Sequence, residues 1–269
     1  DRVVVRNHRF ELILADLKKG TAKTIDRSDY APVTGAVWSP DGKWLAYSVA
    51  PTSRSRIIRL YHVGTGKKHD VTRPEFNDVA PSWDPDGKYL YFLSNRVYNP
   101  VYDALHFDLG FPQAMQLMVV PLRKDVPSPF VPRLEEEVPP PTGKEKKKKE
   151  KAPSLQIDVA SLPERVLSFP KAAGRYGRIV GIKGKILYSQ YNVKGSLATH
   201  GTTPQASGGT LYVYDLATMK EDNLVSGVDS FSVSRDRTTL LYRAGKRLRV
   251  IKAGDKPSDA KSSGLVKDG

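Results

Sequence analysis

The chain has no cysteine among its 269 residues. No disulfide frame can hold it, and no thiol can serve as nucleophile or metal ligand. That fits a reducing compartment, and a cytoplasmic location is the expectation. No apolar run approaches the ~20 residues that a membrane-spanning helix needs, and no signal peptide opens the chain. Catalytic signatures are missing too. There is no Gly-x-Ser-x-Gly elbow, His-Glu-x-x-His pair, P-loop or dinucleotide fingerprint. The histidines are His8, His62, His69, His106 and His200, and none pairs with another at metal-ligand spacing. No catalytic, cofactor or metal residue is therefore assigned.

Acidic residues are outnumbered, 29 against 43 Lys and Arg, for a formal charge of +14. Such a balance invites nucleic acid as a partner. Much of the excess is local, however. Lys144–Lys151 holds six lysines and two glutamates, and a run of that kind reads as a solvated loop. No RNA-recognition signature, zinc-finger spacing or basic helix accompanies it, so nucleic acid is not the expected partner.

What the sequence does contain is a repeat. Val37-Trp38-Ser39-Pro40-Asp41-Gly42-Lys43-Trp44-Leu45-Ala46-Tyr47 returns as Ser82-Trp83-Asp84-Pro85-Asp86-Gly87-Lys88-Tyr89-Leu90-Tyr91-Phe92. Trp38 and Trp83 lie 45 positions apart, inside the roughly 40–45 residues expected of a four-stranded propeller blade. In each copy Pro fixes φ at the first corner of a turn, Asp bonds the local backbone, and Gly supplies φ > 0. An alternating apolar strand then runs back. A weaker third copy is Phe231–Tyr242, where Arg235 stands in the Pro position and Arg237 in the Gly position. Short aliphatic-aromatic strands closing in polar turns follow a matching rhythm, since Gly20 and Gly66 are 46 positions apart.

The expected fold is all-β, a propeller of four-stranded antiparallel blades. About five are present, the first and last incomplete. They fall at about 2–29, 35–72, 79–169, 175–226 and 229–252. The blade at 79–169 is interrupted at 96–114 by an aromatic-rich insertion. A Pro-rich, then Lys-rich insertion follows at 124–164, expected as a mobile excursion on the rim. Residues 253–269 read as a polar tail or linker. The first blade reads as missing its innermost strand, and the expectation is a gene product that extends further.

Several residues are weighed for chemistry. Tyr102 to Asp108 offers Asp103, His106 and Asp108, but reads as a structural loop packed by its aromatics. His69-Asp70 is expected exposed at a strand end. Trp38 and Trp83 are expected in the core between blades. The Gly/Ser/Thr-rich loop at 195–209 around His200 is either channel lining or plain connection, because function concentrates on such loops. Substrate-binding residues cannot be named from the sequence.

These residues resemble the tricorn protease family. The resemblance rests on Asn7–Leu12, the two Pro-Asp-Gly hairpins, Pro127-Ser128-Pro129-Phe130 and, above all, Arg96–Asp103 with Phe107–Pro112. It covers essentially the whole chain and corresponds to the later part of the second, seven-bladed propeller. The resemblance implies a non-catalytic part of a serine peptidase acting on oligopeptides, with propellers forming pores to an enclosed active site. It implies peptide substrates and other domains or subunits as partners, in a homo-oligomer. The family's catalytic Ser and His lie in a C-terminal region without counterpart here. Two alternatives stay open. One is a stand-alone TolB-like propeller that binds a protein. The other is the propeller of a prolyl-oligopeptidase-like hydrolase, which requires an α/β-hydrolase domain.

Overall fold

The computed structural model describes residues 1–103, 108–131, 155–193, 208–257 and 266–268. It is an all-β propeller assembly built of successive antiparallel sheets around a shared cavity. The first blade holds three strands, β1 (Arg2–Arg6), β2 (Glu11–Asp16) and β3 (Thr21–Arg27). The second holds β4 (Thr34–Trp38), β5 (Trp44–Val49), β6 (Ile57–His62) and β7 (Lys68–Asp70). In the third, β8 (Asn77–Trp83) and β9 (Tyr89–Asn95) are followed by β12 (Met115–Pro121) and β13 (Leu167–Ser168). Between β9 and β12 the first insertion forms its own two-stranded hairpin, β10 (Val101–Asp103) with β11 (Asp108–Gly110).

The fourth blade is β14 (Arg175–Ile182), β15 (Lys185–Tyr191), β16 (Gly209–Asp215) and β17 (Lys220–Val228). The fifth is β18 (Ser230–Val233), β19 (Thr239–Ala244), β20 (Arg247–Lys252) and β21 (Val266–Asp268). The last strand corrects an expectation. The segment after Ala253 is not tail throughout, because Val266–Asp268 pairs with Arg247–Arg249 and gives the fifth sheet its fourth strand.

The alternation of side chains explains the packing. A strand sends successive residues to opposite faces, and both faces of an inner blade are buried against neighbours. Leu45, Tyr47 and Val49 meet the first blade, whereas Ala46 faces the third. Along β9, Leu90 and Phe92 turn toward the second blade, and Tyr89, Tyr91 and Leu93 toward the fourth. Four apolar clusters therefore fill the four seams between five blades. Trp83 is in this core as expected, with 1% of its surface exposed. Trp38 is only half-buried, packed against the first seam and bordering the central cavity.

The seams are also pinned by polar contacts. Trp83 Nε1 donates to the Val37 carbonyl at 3.2 Å, and Gly181 N donates to Ser82 Oγ at 3.1 Å. Arg178 Nη1 donates to the Phe231 carbonyl at 2.7 Å. Gly181 has no room for a side chain. A Cβ there would sit 2.8 Å from the Trp83 carbonyl oxygen and 2.7 Å from the Tyr91 ring. Gly181→Ala is expected to destabilise by about 1–3 kcal/mol, since it forces the third and fourth blades apart. Urea unfolding checks this, and an unchanged midpoint would contradict the packing described.

The second insertion departs from expectation where it returns. Residues 132–154, including the Lys144–Lys151 run, lie outside the described residues. From Leu155 the chain is packed rather than a rim excursion. Leu155, Ile157 and Val159 lie against the second seam, and Leu162 is fully buried in it. Leu155 N donates to Asp41 Oδ2 at 3.3 Å, and Asp158 N donates to the Leu122 carbonyl at 2.9 Å. Arg165 fastens the end of the segment to the carbonyls of Pro121, Asp158 and Ala160. The apolar alternation Leu155, Ile157, Val159 was the available signal.

Candidate central cavity

The innermost strands β4, β8, β14 and β18 each send residues into one cavity of about 1190 Å³, which the first blade borders with Asp1, Arg2, Asp16 and Lys18. Three of the four lining strands share a deformation. Registers slip between Thr34 and Val37, between Val79 and Ser82, and between Tyr176 and Arg178. Bulges of this kind bend a strand and re-aim its side chains. Gly35 takes φ +66 at the first of them, and a Cβ on it would sit 3.0 Å from Pro81 Cδ of the next blade. Small residues at the slip let neighbouring inner strands approach.

Three β-hairpin turns ring the cavity, one each from the second, third and fifth blades. All close in the same way. Gly42 N donates to the Ser39 carbonyl, Gly87 N to that of Asp84, and Arg237 N to that of Ser234, at 2.9, 3.0 and 2.9 Å. In two of them a serine organises the turn. Ser39 Oγ donates to Asp41 Oδ1 and accepts from Trp44 N, and Ser234 Oγ does the same with Asp236 and Thr239 N. The third blade has Asp84 in that place, 3% exposed, accepting from Lys88 N at 3.0 Å. Burial pushes the Asp84 carboxyl up to about 6, and nearby Asp86 adds to the rise.

The residue at the fourth turn position needs φ > 0, which glycine adopts without strain. Gly42 and Gly87 take φ +69 and +70, but in the fifth blade Arg237 takes φ +62. Arg235 stands where the other two turns have proline. With Arg178 these side chains form a basic wall. No ion pair engages any of the three among the described residues. Burial in the wall lowers Arg237 from the usual guanidinium range, and the Arg178 charge lowers it further. Both remain cationic at neutral pH. Where the first blade borders the cavity the charges are paired, Arg2 with Asp16 at 3.3 Å and Lys18 with Asp1 at 2.8 Å.

The residues weighed from sequence lie elsewhere. His8 is exposed. His62 and His69 both rest on Trp44, with ring centroids 4.6 and 6.0 Å away. His69 is thus half-buried rather than exposed, while Asp70 is exposed and paired with Arg59. In the first insertion Tyr98 and Phe111 meet edge to face at 5.8 Å. Tyr98, Val101, Tyr102 and Phe111 are nevertheless exposed, so the ring pair of Tyr98 and Phe111 packs at the surface. Residues 104–107, with His106, and the loop at 194–207, with His200, lie outside the described residues. Among the described residues no three His, Asp or Glu side chains come close enough to hold a metal ion. No described helix is long and apolar enough to cross a membrane, which says nothing of a β-barrel.

Comparison with known proteins agrees with this architecture. The family described as the tricorn protease second beta propeller domain matches residues 1–254. The chain belongs to that family. Tricorn protease homolog 1 of Streptomyces coelicolor is 32% identical over 266 residues, which are 98% of this chain and 24% of that protein. The crystal structure of the tricorn protease superposes with a TM-score of 0.77 at 24% identity, over 99% of this chain and 26% of that one. The chain thus spans about a quarter of the length of these tricorn relatives. In sequence, likeness to TolB is shorter. The Tol-Pal system protein TolB of Alcanivorax borkumensis is 31% identical over 87 residues, a third of this chain. In this tricorn propeller the arginine wall was readable only as a defect, the departure of the third hairpin from Pro-Asp-Gly.

Proposed function

We propose that this propeller is a non-catalytic part of a tricorn-like serine peptidase that degrades oligopeptides. It guides peptides through the central cavity and supports assembly with other domains or subunits of the same peptidase. The observation that carries the reading is the cavity itself, bordered by all five blades of a chain that belongs to the tricorn family. An extended peptide has free N–H and C=O groups and side chains on alternate sides, and a cavity of this size accepts it without unfolding the blades. The chemistry of peptide cleavage belongs to another part of the protein.

The test is the natural gene product, assayed for cleavage of oligopeptides beside the isolated 1–269 piece. The expected result is an oligomer that cleaves peptides of several residues while the piece is inert. A natural product that cleaves no peptide overturns the reading and leaves a propeller that binds a protein partner.

A further inference from the structure

The fifth-blade turn departs from its two siblings at both positions that make such a turn favourable. Proline at the first corner restricts the unfolded chain, and glycine at the fourth position removes the strain of positive φ. Ser39–Gly42 and Asp84–Gly87 have both, and Ser234–Arg237 has neither. Arg237 is held at φ +62, a left-handed conformation that a residue with a Cβ rarely adopts. Backbone strain of this kind concentrates where a side chain is needed at a particular place. Here both departures place a guanidinium on the cavity wall, and Arg178 of the neighbouring blade joins them there.

We propose that Arg178, Arg235 and Arg237 form a seat for a carboxylate, which holds a peptide by its acidic end as it enters the cavity. The proposal rests on the peptide-channel reading above. Its electrostatics are one-sided. Of the carboxylates that line the cavity, Asp16 and Asp1 are paired with Arg2 and Lys18, and Asp236 already accepts from Ser234 Oγ and Thr238 N. Of the Arg178 donors, Nη1 is spent on the Phe231 carbonyl, a bond that orients the guanidinium and leaves its other N–H groups for a ligand. Ring contact with Phe231 at 5.6 Å steadies the same group. The planar fork of arginine fits a carboxylate with two parallel hydrogen bonds. The acid is either the C-terminal carboxylate of the peptide or a Glu or Asp side chain within it.

The experiment uses the full-length protein and two variants. Arg235→Pro with Arg237→Gly restores the Ser-Pro-Asp-Gly turn of the second blade, and Arg178→Gln leaves every turn intact. Three N-acetylated, N-methylated hexapeptides that resist cleavage are titrated by calorimetry. One has a free C-terminus, one a C-terminal amide, and one an amide with an internal glutamate. The free acid is expected to bind the wild type at least ~10-fold more tightly than the plain amide, the scale of a charge-assisted hydrogen bond. Recovery of binding by the glutamate peptide assigns the side chain as a second source of the acid, and no recovery assigns the C-terminus alone. Each variant is expected to lose that preference, and the double variant is expected to melt a few degrees higher than wild type. A residue that merely supported the fold would lower both quantities. The proposal falls if neither the free acid nor the glutamate peptide binds more tightly than the plain amide, if no peptide binds, or if both variants bind the acidic peptides as wild type does. Arginine-dependent binding in a protein that cleaves no peptide keeps the seat and removes the peptidase reading. Cleavage that ignores the arginines does the reverse.

Discussion

Replacing Asp26 by alanine is expected to destabilise the protein by about 3–5 kcal/mol, the loss that follows when one partner of a buried ion pair is removed. Asp26 sits on β3 of the first blade, 6% exposed, and three groups of the second blade converge on it. Tyr47 OH donates to Oδ2 at 2.8 Å, Arg59 Nη1 to the same oxygen at 2.9 Å, and Lys68 Nζ to Oδ1 at 3.0 Å. With alanine there, the buried phenol and guanidinium keep their desolvation cost and lose their acceptor. Asp70 is the control. It also pairs with Arg59, at 2.5 Å, but is half in solvent, so Asp70→Ala is expected to cost under about 1 kcal/mol.

The pH dependence follows from the same contacts. Burial opposes ionisation of Asp26, but the hydrogen bonds from Tyr47, Arg59 and Lys68 outweigh it and hold the carboxyl below its ordinary 3.8. Its stabilisation is therefore complete above that value and is lost as pH falls through the lower folded one. Urea titrations at pH 7 and pH 3 measure both effects. A loss under 1 kcal/mol for Asp26→Ala at pH 7 would mean that the first seam is held by its apolar cluster alone.

Asp84→Ser is expected to act in the opposite direction. Asp84 occupies the turn position that serine fills in the second and fifth blades, and burial raises its carboxyl from 3.8 to about 6. A raised folded value means that stability from this group is fully present below the unfolded value. It declines as pH rises from about 4 to 6, and above that the penalty is constant. At about 1.4 kcal/mol per pH unit the penalty is at most ~3 kcal/mol. Serine removes it, and can donate to Asp86 as Ser39 does to Asp41 and Ser234 to Asp236. The variant should match wild type near pH 4 and melt several degrees higher at pH 7.5. Parallel melting profiles for the two proteins would show that Asp84 is not the source of the slope.

Stability and function pull apart around this cavity. The second-blade turn follows every local preference, whereas the third carries a buried acid and the fifth two arginines. Substitutions toward Ser-Pro-Asp-Gly are expected to stabilise both deviant turns. A peptide-binding consequence is expected only in the fifth, where the deviation adds charge to the wall.

The sequence by itself determined the blades. Pro-Asp-Gly turns, two-residue alternation and the 45-residue period act between residues close along the chain, so β4, β5, β8 and β9 could be read directly. It also placed Trp83 in the core, since that residue repeats in register with the strands. The tertiary structure decided what depends on distant partners. The pairing of Val266–Asp268 with Arg247–Arg249 and the return of Leu155 onto Asp41 join residues whose partners no local pattern names. His69 looked exposed until Trp44, two strands away in the same sheet, covered it. Arg178 lies about 60 residues from Arg237 and on a different blade. Only the convergence of inner strands on one cavity makes them a single wall. A turn shows in sequence because a dihedral angle is a local property. A charged wall does not, because electrostatic potential sums over space and is blind to chain order.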